Sequence, residues 1–181
     1  VKFSFFGNKI RLLPLINSSE VLKESEIVHT EEFIDPNEKP SIAVRKGRNS
    51  SMGMAIQSVK SGKADAIVSA GNTGALMAMA KLFLRPIEGI NRPAIAAYFP
   101  TITGESCMLD LGANIDCDAK NLVQFAFMGQ AFANIVMGVD NPSISLLNIG
   151  EEEQKGLDYI KEASQILSNL KRQINYVGFI E

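Results

Sequence analysis

The feature that most constrains this chain is a regular alternation of short apolar runs with longer amphipathic stretches. Residues 1–6, 26–30, 64–68, 94–98, 107–111, 144–148 and 175–179 read as strands. Between them, residues 10–16, a stretch opening at Asn49-Ser50-Ser51, and residues 75–84, 118–137 and 156–171 carry helical spacing. Strands separated by helices of about ten or more residues imply βαβ units and a mostly parallel sheet. The pair 94–98 and 107–111 is joined by residues 100–104, close enough for a hairpin or adjacent edge. With 181 residues, 46% hydrophobic and 21% charged, the chain is expected to form a single globular α/β domain over 1–181.

One connection stands out. Ser69-Ala70-Gly71-Asn72-Thr73-Gly74 runs from an expected strand straight into an expected helix. Small residues let an anion approach the backbone, and Asn72 or Thr73 can cap the helix. The first N–H groups of a helix lack internal partners and sit at the positive end of its dipole. Such a turn can seat phosphate or another oxyanion. A plain capped connection fits the same residues.

Ligands of an open parallel sheet bind beyond the carboxyl ends of its strands. That rule puts further segments on the same edge. Asp110-Leu111-Gly112-Ala113-Asn114 and Asn148-Ile149-Gly150-Glu151 each follow a strand, and Arg45-Lys46-Gly47-Arg48 precedes a helix. Singly, each also reads as an Asx turn, a cap or a solvated charged face. Together they favour an edge that handles anions, with Ser69, Gly71, Asn72, Thr73, Gly74, Asp110, Asn114 and Asn148 as candidate binding residues.

Several chemistries are disfavoured. His29 is the sole histidine and lies in an expected strand, so it reads as a core or edge side chain rather than part of a catalytic triad. Neither GxGxxG nor GxxxxGK[ST] occurs. Cys107 and Cys117 lack metal-ligand spacing and read as free thiols, so neither a metal nor a cofactor is expected. A net charge of −2 argues against nucleic acid as a partner. No apolar run reaches the roughly 18 residues of a membrane span, and no signal-peptide pattern is visible. A soluble, cytoplasmic protein is expected. The helix over 118–137 is apolar nearly all round: Leu122, Phe125, Ala126 and Ala133 share one face, while Val123, Phe127, Met128 and Ile135 lie elsewhere. It is expected to be buried on both sides, as the central helix of a larger α/β protein or against another subunit.

Three segments, taken together, resemble the phosphate acyltransferase family of bacterial phospholipid synthesis. They are Val44-Arg45-Lys46-Gly47-Arg48-Asn49-Ser50-Ser51-Met52, the stretch from Ala64 through Gly71-Asn72-Thr73-Gly74 to Met77, and Leu109-Asp110-Leu111-Gly112-Ala113-Asn114-Ile115-Asp116. Gly89-Ile90-Asn91-Arg92-Pro93-Ala94, Leu122-Val123-Gln124-Phe125-Ala126 and Leu146-Leu147-Asn148-Ile149-Gly150-Glu151 match as well, in family order. The resemblance implies a three-layer Rossmann-like fold of the isopropylmalate dehydrogenase and phosphotransacetylase group. It implies transfer of a fatty acyl group from acyl carrier protein to inorganic phosphate. Family members are nearly twice as long, so the chain reads as an internal fragment. A strand with a Gly-Gly-Asp loop would precede Val1, and a C-terminal half serving homodimer and peripheral membrane contact would follow Glu181.

That chemistry needs no histidine, because phosphate is already a nucleophilic anion and a thiol leaves readily. The protein must position phosphate and stabilise an oxyanion. Lys155, which matches the family pattern at Lys155-Gly156, is the expected catalytic cation, and Asn72 of the glycine-rich turn is the other expected catalytic residue. The alternative for Lys155 is an exposed lysine balancing Glu151, Glu152 and Glu153. Arg45, Lys46 and Arg48 are expected to dock the acidic carrier. A short-chain phosphotransacetylase and a non-catalytic anion-binding module or inactive fragment are the competing readings.

Overall fold

The computed structural model describes residues 1–181 except Lys23, Thr103 and Glu153, and of Val21 only the backbone. Thr103, in the expected hairpin connection, and Glu153, in the loop before Lys155, therefore lie outside the described residues. The chain forms two compact units, Val1–Pro86 and Ile87–Glu181.

In the first unit, β1 (Ser4–Gly7) pairs in parallel with β2 (Glu26–His29), in register from Ser4 with Glu26 to Gly7 with His29. The crossover contains α1 (Lys9–Asn17), which begins where the Asn8 side chain accepts the Arg11 N–H at 3.0 Å. α2 (Pro40–Lys46) starts with proline at a position where a missing N–H costs nothing. α3 (Ser51–Lys60) is capped by Ser50, a buried side chain that accepts from Gly53 N–H and donates to the Gly47 carbonyl at 2.6 Å. A β-carbon on Gly53 would overlap the backbone of Gly47 and Arg48, so only glycine lets the basic turn lie against α3. α4 (Thr73–Leu84) follows, and Ala43, Met52, Ile56, Ala75 and Met79 form the core between these helices.

The strand expected over 64–68 does not form a ladder among the described residues. Ile67 packs against the core, but Val68 is 96% exposed. Apolar β-branched residues fit a pleated surface, yet a strand also needs a neighbour for its backbone groups. The local pattern supplies the first condition and says nothing of the second.

In the second unit, β3 (Ala96–Thr101) and β4 (Gly104–Leu109) form an antiparallel hairpin. α5 (Ala119–Val136) opens with a capping box in which Asp118 and Asn121 each satisfy the other's backbone N–H. β5 (Ile144–Leu147) and β6 (Tyr176–Ile180) pair in parallel around the crossover helix α6 (Asp158–Asn169). Leu146, Ala163, Leu167, Ile174 and Tyr176 make the core with Ala126 of α5. Two of the three ladders are thus parallel, the α/β arrangement that the alternation predicts, although each has only two strands.

Full burial of α5 is not observed. Its last turn leaves Ile135 83% and Val136 56% exposed. Helical spacing specifies which side chains could be covered; it does not specify a neighbour to cover them.

Candidate active site

In the first unit the turn before α4 is organised by Asn72. Its backbone is extended, and its side-chain oxygen accepts the Ala75 N–H at 2.9 Å. Its amide nitrogen donates to the carbonyls of Pro36 at 3.0 Å and Glu38 at 2.9 Å, with a longer contact to Asp35. Both ends of the side chain are therefore engaged within the protein. Asn72 caps the helix and ties it to the loop before α2. The N–H groups of Thr73 and Gly74 have no acceptor among the described residues, and Ser69, Gly71, Thr73 and Gly74 are exposed. Gly71 N–H lies 3.3 Å from the Ser69 hydroxyl. A β-carbon on Gly74 would stand 3.0 Å from Pro40, which places the start of α2 beside this turn. The arrangement is a capped helix N-terminus with free donors.

Arg45 and Lys46 end α2 and Arg48 lies between α2 and α3 in the same unit, all three exposed and without an ion-pair partner among the described residues. Arg45 and Lys46 occupy the last turn of α2, where positive charge complements the helix dipole.

In the second unit Asp110 and Asn114 form a clasp. Asp110 accepts the Ile95 N–H at 2.8 Å, the Asn114 N–H at 2.7 Å and the Asn114 amide at 3.0 Å. Asn114 also donates to the Pro93 carbonyl at 2.9 Å. The pair fixes the turn after β4 against the entry to β3. Cys117 is a free thiol beside it, its pKa pushed up first by burial and then by the Asp110 charge. Gln124 of α5, part of the family-like segment over 122–126 but not among the candidate site residues, donates to the Gly89 carbonyl at 2.7 Å and accepts the Asn91 N–H at 3.0 Å. A polar side chain within an otherwise apolar helical face was the available signal.

The loop after β5 brings Asn148 and Lys155 together. Asn148 is buried, and its amide donates to the Lys155 carbonyl at 3.0 Å. Its oxygen is buried with no partner among the described residues. The Lys155 ammonium sits 2.8 Å from Glu152, both side chains being more than half exposed. Hydrogen bonding to Lys155, with a smaller backbone contribution, holds the Glu152 carboxyl below the usual carboxylate range. Two glycines permit this. A β-carbon on Gly150 would stand 2.6 Å from the Lys155 stem and 2.7 Å from the Glu152 carboxylate, and one on Gly156 would overlap Asn148. Gly156 also has φ +94°, a conformation that other residues rarely adopt. Glu152 is one of the three acids expected to balance an exposed lysine, so the pair fits that alternative; the i, i+3 spacing within a turn singles it out.

His29 is an edge residue, as expected: Nδ1 accepts the Lys9 N–H at 3.1 Å and Nε2 faces Glu31 at 3.3 Å. Among the described residues, no group of three or more His, Cys, Asp or Glu could hold a metal ion. No described helix is long and apolar enough to cross a membrane.

Residues 1–181 match the family model described as "Fatty acid synthesis protein". The chain is 50% identical to a phosphate acyltransferase of Rhodospirillum centenum and 49% identical to one of Paramagnetospirillum magneticum. These alignments cover 100% of this chain but 51% and 52% of the relatives, so the chain spans about half their length. Among solved structures, a phosphotransacetylase from Streptococcus pyogenes superposes with a TM-score of 0.65 at 17% identity, covering 99% of this chain and 68% of that one. EutD phosphotransacetylase from Staphylococcus aureus gives 0.57 at 13%, with the same coverage. The fold is therefore of the phosphotransacetylase type. Matched along its whole length by the family model, the chain belongs to the fatty acid synthesis protein family.

Proposed function

We propose that the intact protein transfers a fatty acyl group from acyl carrier protein to inorganic phosphate, giving acyl phosphate and free carrier thiol. The observation that carries this reading is the loop after β5, which presents a lysine ammonium beyond the C-terminal end of that strand, with the exposed Glu152 carboxylate as its one counterion among the described residues. Relatives at about half identity bear the name phosphate acyltransferase, which supports the same chemistry.

In this mechanism a phosphate oxygen attacks the thioester carbonyl, the carbon–sulfur bond breaks, and the electron pair leaves on sulfur. Lys155 stabilises the carbonyl oxyanion or holds the phosphate. Such a donor is worth about 3 kcal/mol of transition-state stabilisation. The free N–H groups of Thr73 and Gly74, in a turn shaped by Asn72 and Gly71 with the Ser69 hydroxyl, form a second anion seat. Asp110 and Asn114 act by keeping the turn after β4 rigid. Arg45, Lys46 and Arg48 attract the acidic carrier, mainly by raising its association rate. Exposed Ile135 and Val136 support a homodimer. Peripheral membrane contact completes the proposal without a residue of this chain assigned to it.

The test is thiol release from long-chain acyl carrier protein and from acetyl-CoA, each with and without phosphate. Phosphate-dependent release from the long-chain carrier alone is the expected result. Release from acetyl-CoA alone would identify a short-chain phosphotransacetylase. No phosphate-dependent release from either would leave an anion-binding module.

A further inference from the structure

The loop after β5 holds its lysine in a state that a ligand would have to undo. The Lys155 ammonium is already paired with Glu152 at 2.8 Å, within a fold that Gly150 and Gly156 make possible by lacking side chains. Beneath it, Asn148 ties down the Lys155 carbonyl while its own oxygen remains buried and unpartnered among the described residues. A buried acceptor without a donor raises the free energy of the arrangement that contains it. Exposed ion pairs are themselves weak.

We propose that Glu152 is a built-in surrogate anion for Lys155, displaced when a phosphate-type oxyanion binds, and that Asn148 is the residue positioning Lys155 through its main chain. This rests on the reading of Lys155 as an anion-binding cation. The Glu152 carboxylate occupies the ammonium in the unliganded protein. An incoming oxyanion takes its place, and the carboxylate swings into solvent, where it is already largely exposed. The exchange keeps an anion paired with the ammonium and breaks no covalent bond. It also sets a threshold: a neutral oxygen ligand competes poorly with a carboxylate, whereas a phosphate dianion carries more charge than the group it replaces.

The experiment is calorimetric titration of the intact protein with inorganic phosphate. Glu152→Gln should tighten phosphate by about two- to fivefold, the range expected for removing one exposed ionic competitor. Glu151→Gln removes the same charge from the adjacent exposed position and should leave affinity near wild type. In a Lys155→Ala background the Glu152→Gln gain should vanish. Asn148→Ala should weaken phosphate, and turnover should show a raised KM for phosphate with kcat less affected. Equal affinity in Glu152→Gln and wild type, or an equal gain from Glu151→Gln, would overturn the surrogate. Unchanged phosphate affinity in Lys155→Ala would instead remove the reading on which it rests.

Discussion

Two asparagines followed within two residues by glycine head the two most suggestive turns, and the structure treats them differently. Asn72 has both ends of its side chain satisfied, by one helix N–H and by loop carbonyls. Asn148 is more deeply buried and its side chain makes one hydrogen bond, its oxygen having no partner among the described residues. Satisfied polar side chains rigidify what surrounds them; a half-satisfied one marks an arrangement with something still to gain. The first turn offers an anion backbone N–H groups and hydroxyls but no cation. The second offers a cation whose present counterion is exposed.

Under the proposed function, the second turn carries catalysis and the first mainly stability. The largest expected effect is therefore on turnover. Lys155→Ala should cut kcat of the intact protein by about a hundredfold or more. Lys155→Arg should rescue only part, because a guanidinium spreads its charge over a planar fork. Wild-type turnover in the alanine variant would return Lys155 to the solvated surface and erase the distinction.

The next effect separates the asparagines directly. Asn72→Ala removes a helix cap and the tie to the loop before α2, at a cost of about 2–3 kcal/mol in urea unfolding. Asn148→Ala removes one bond and one orphaned acceptor together, so its cost should stay at or below about 1 kcal/mol. Equal destabilisation by the two would break the comparison.

The smallest effect concerns Tyr176, whose phenol bonds Ser164 at 2.9 Å beside the core under the second turn. Burial raises its pKa, with the Ser164 hydrogen bond opposing. Its raised folded pKa means that the protonated phenol contributes stability fully below the unfolded value near about 10. That contribution is lost as pH rises through the higher folded value. Wild-type stability should fall in this alkaline window, and Tyr176→Phe should flatten the fall. An unchanged slope would show that burial at Tyr176 does not govern the loss.

Much of this was legible in the residues. Helix periodicity located α4, α5 and α6, Asn72 carries the cap expected of it, and Ser50 and Asp118 cap helices at the starts expected for them. The pairing of 94–98 with 107–111 emerged as a hairpin because a short connection leaves few alternatives. The segment 64–68 was less readable. Its composition suits a strand, but a ladder depends on chain distant in sequence.

The candidate site divides along the same line. Which residue types could handle an anion, and that Lys155 stands among acids, were matters of sequence. That Glu152 is the acid it pairs with and that Gly150 and Gly156 clear the space were decided only by the tertiary fold. So was the burial that leaves Asn148 half satisfied. Local patterns determine helices, caps and charge because those depend on neighbours a few residues away. Hydrogen-bond satisfaction depends on which atoms the whole chain brings within about 3 Å, and no local pattern contains that information.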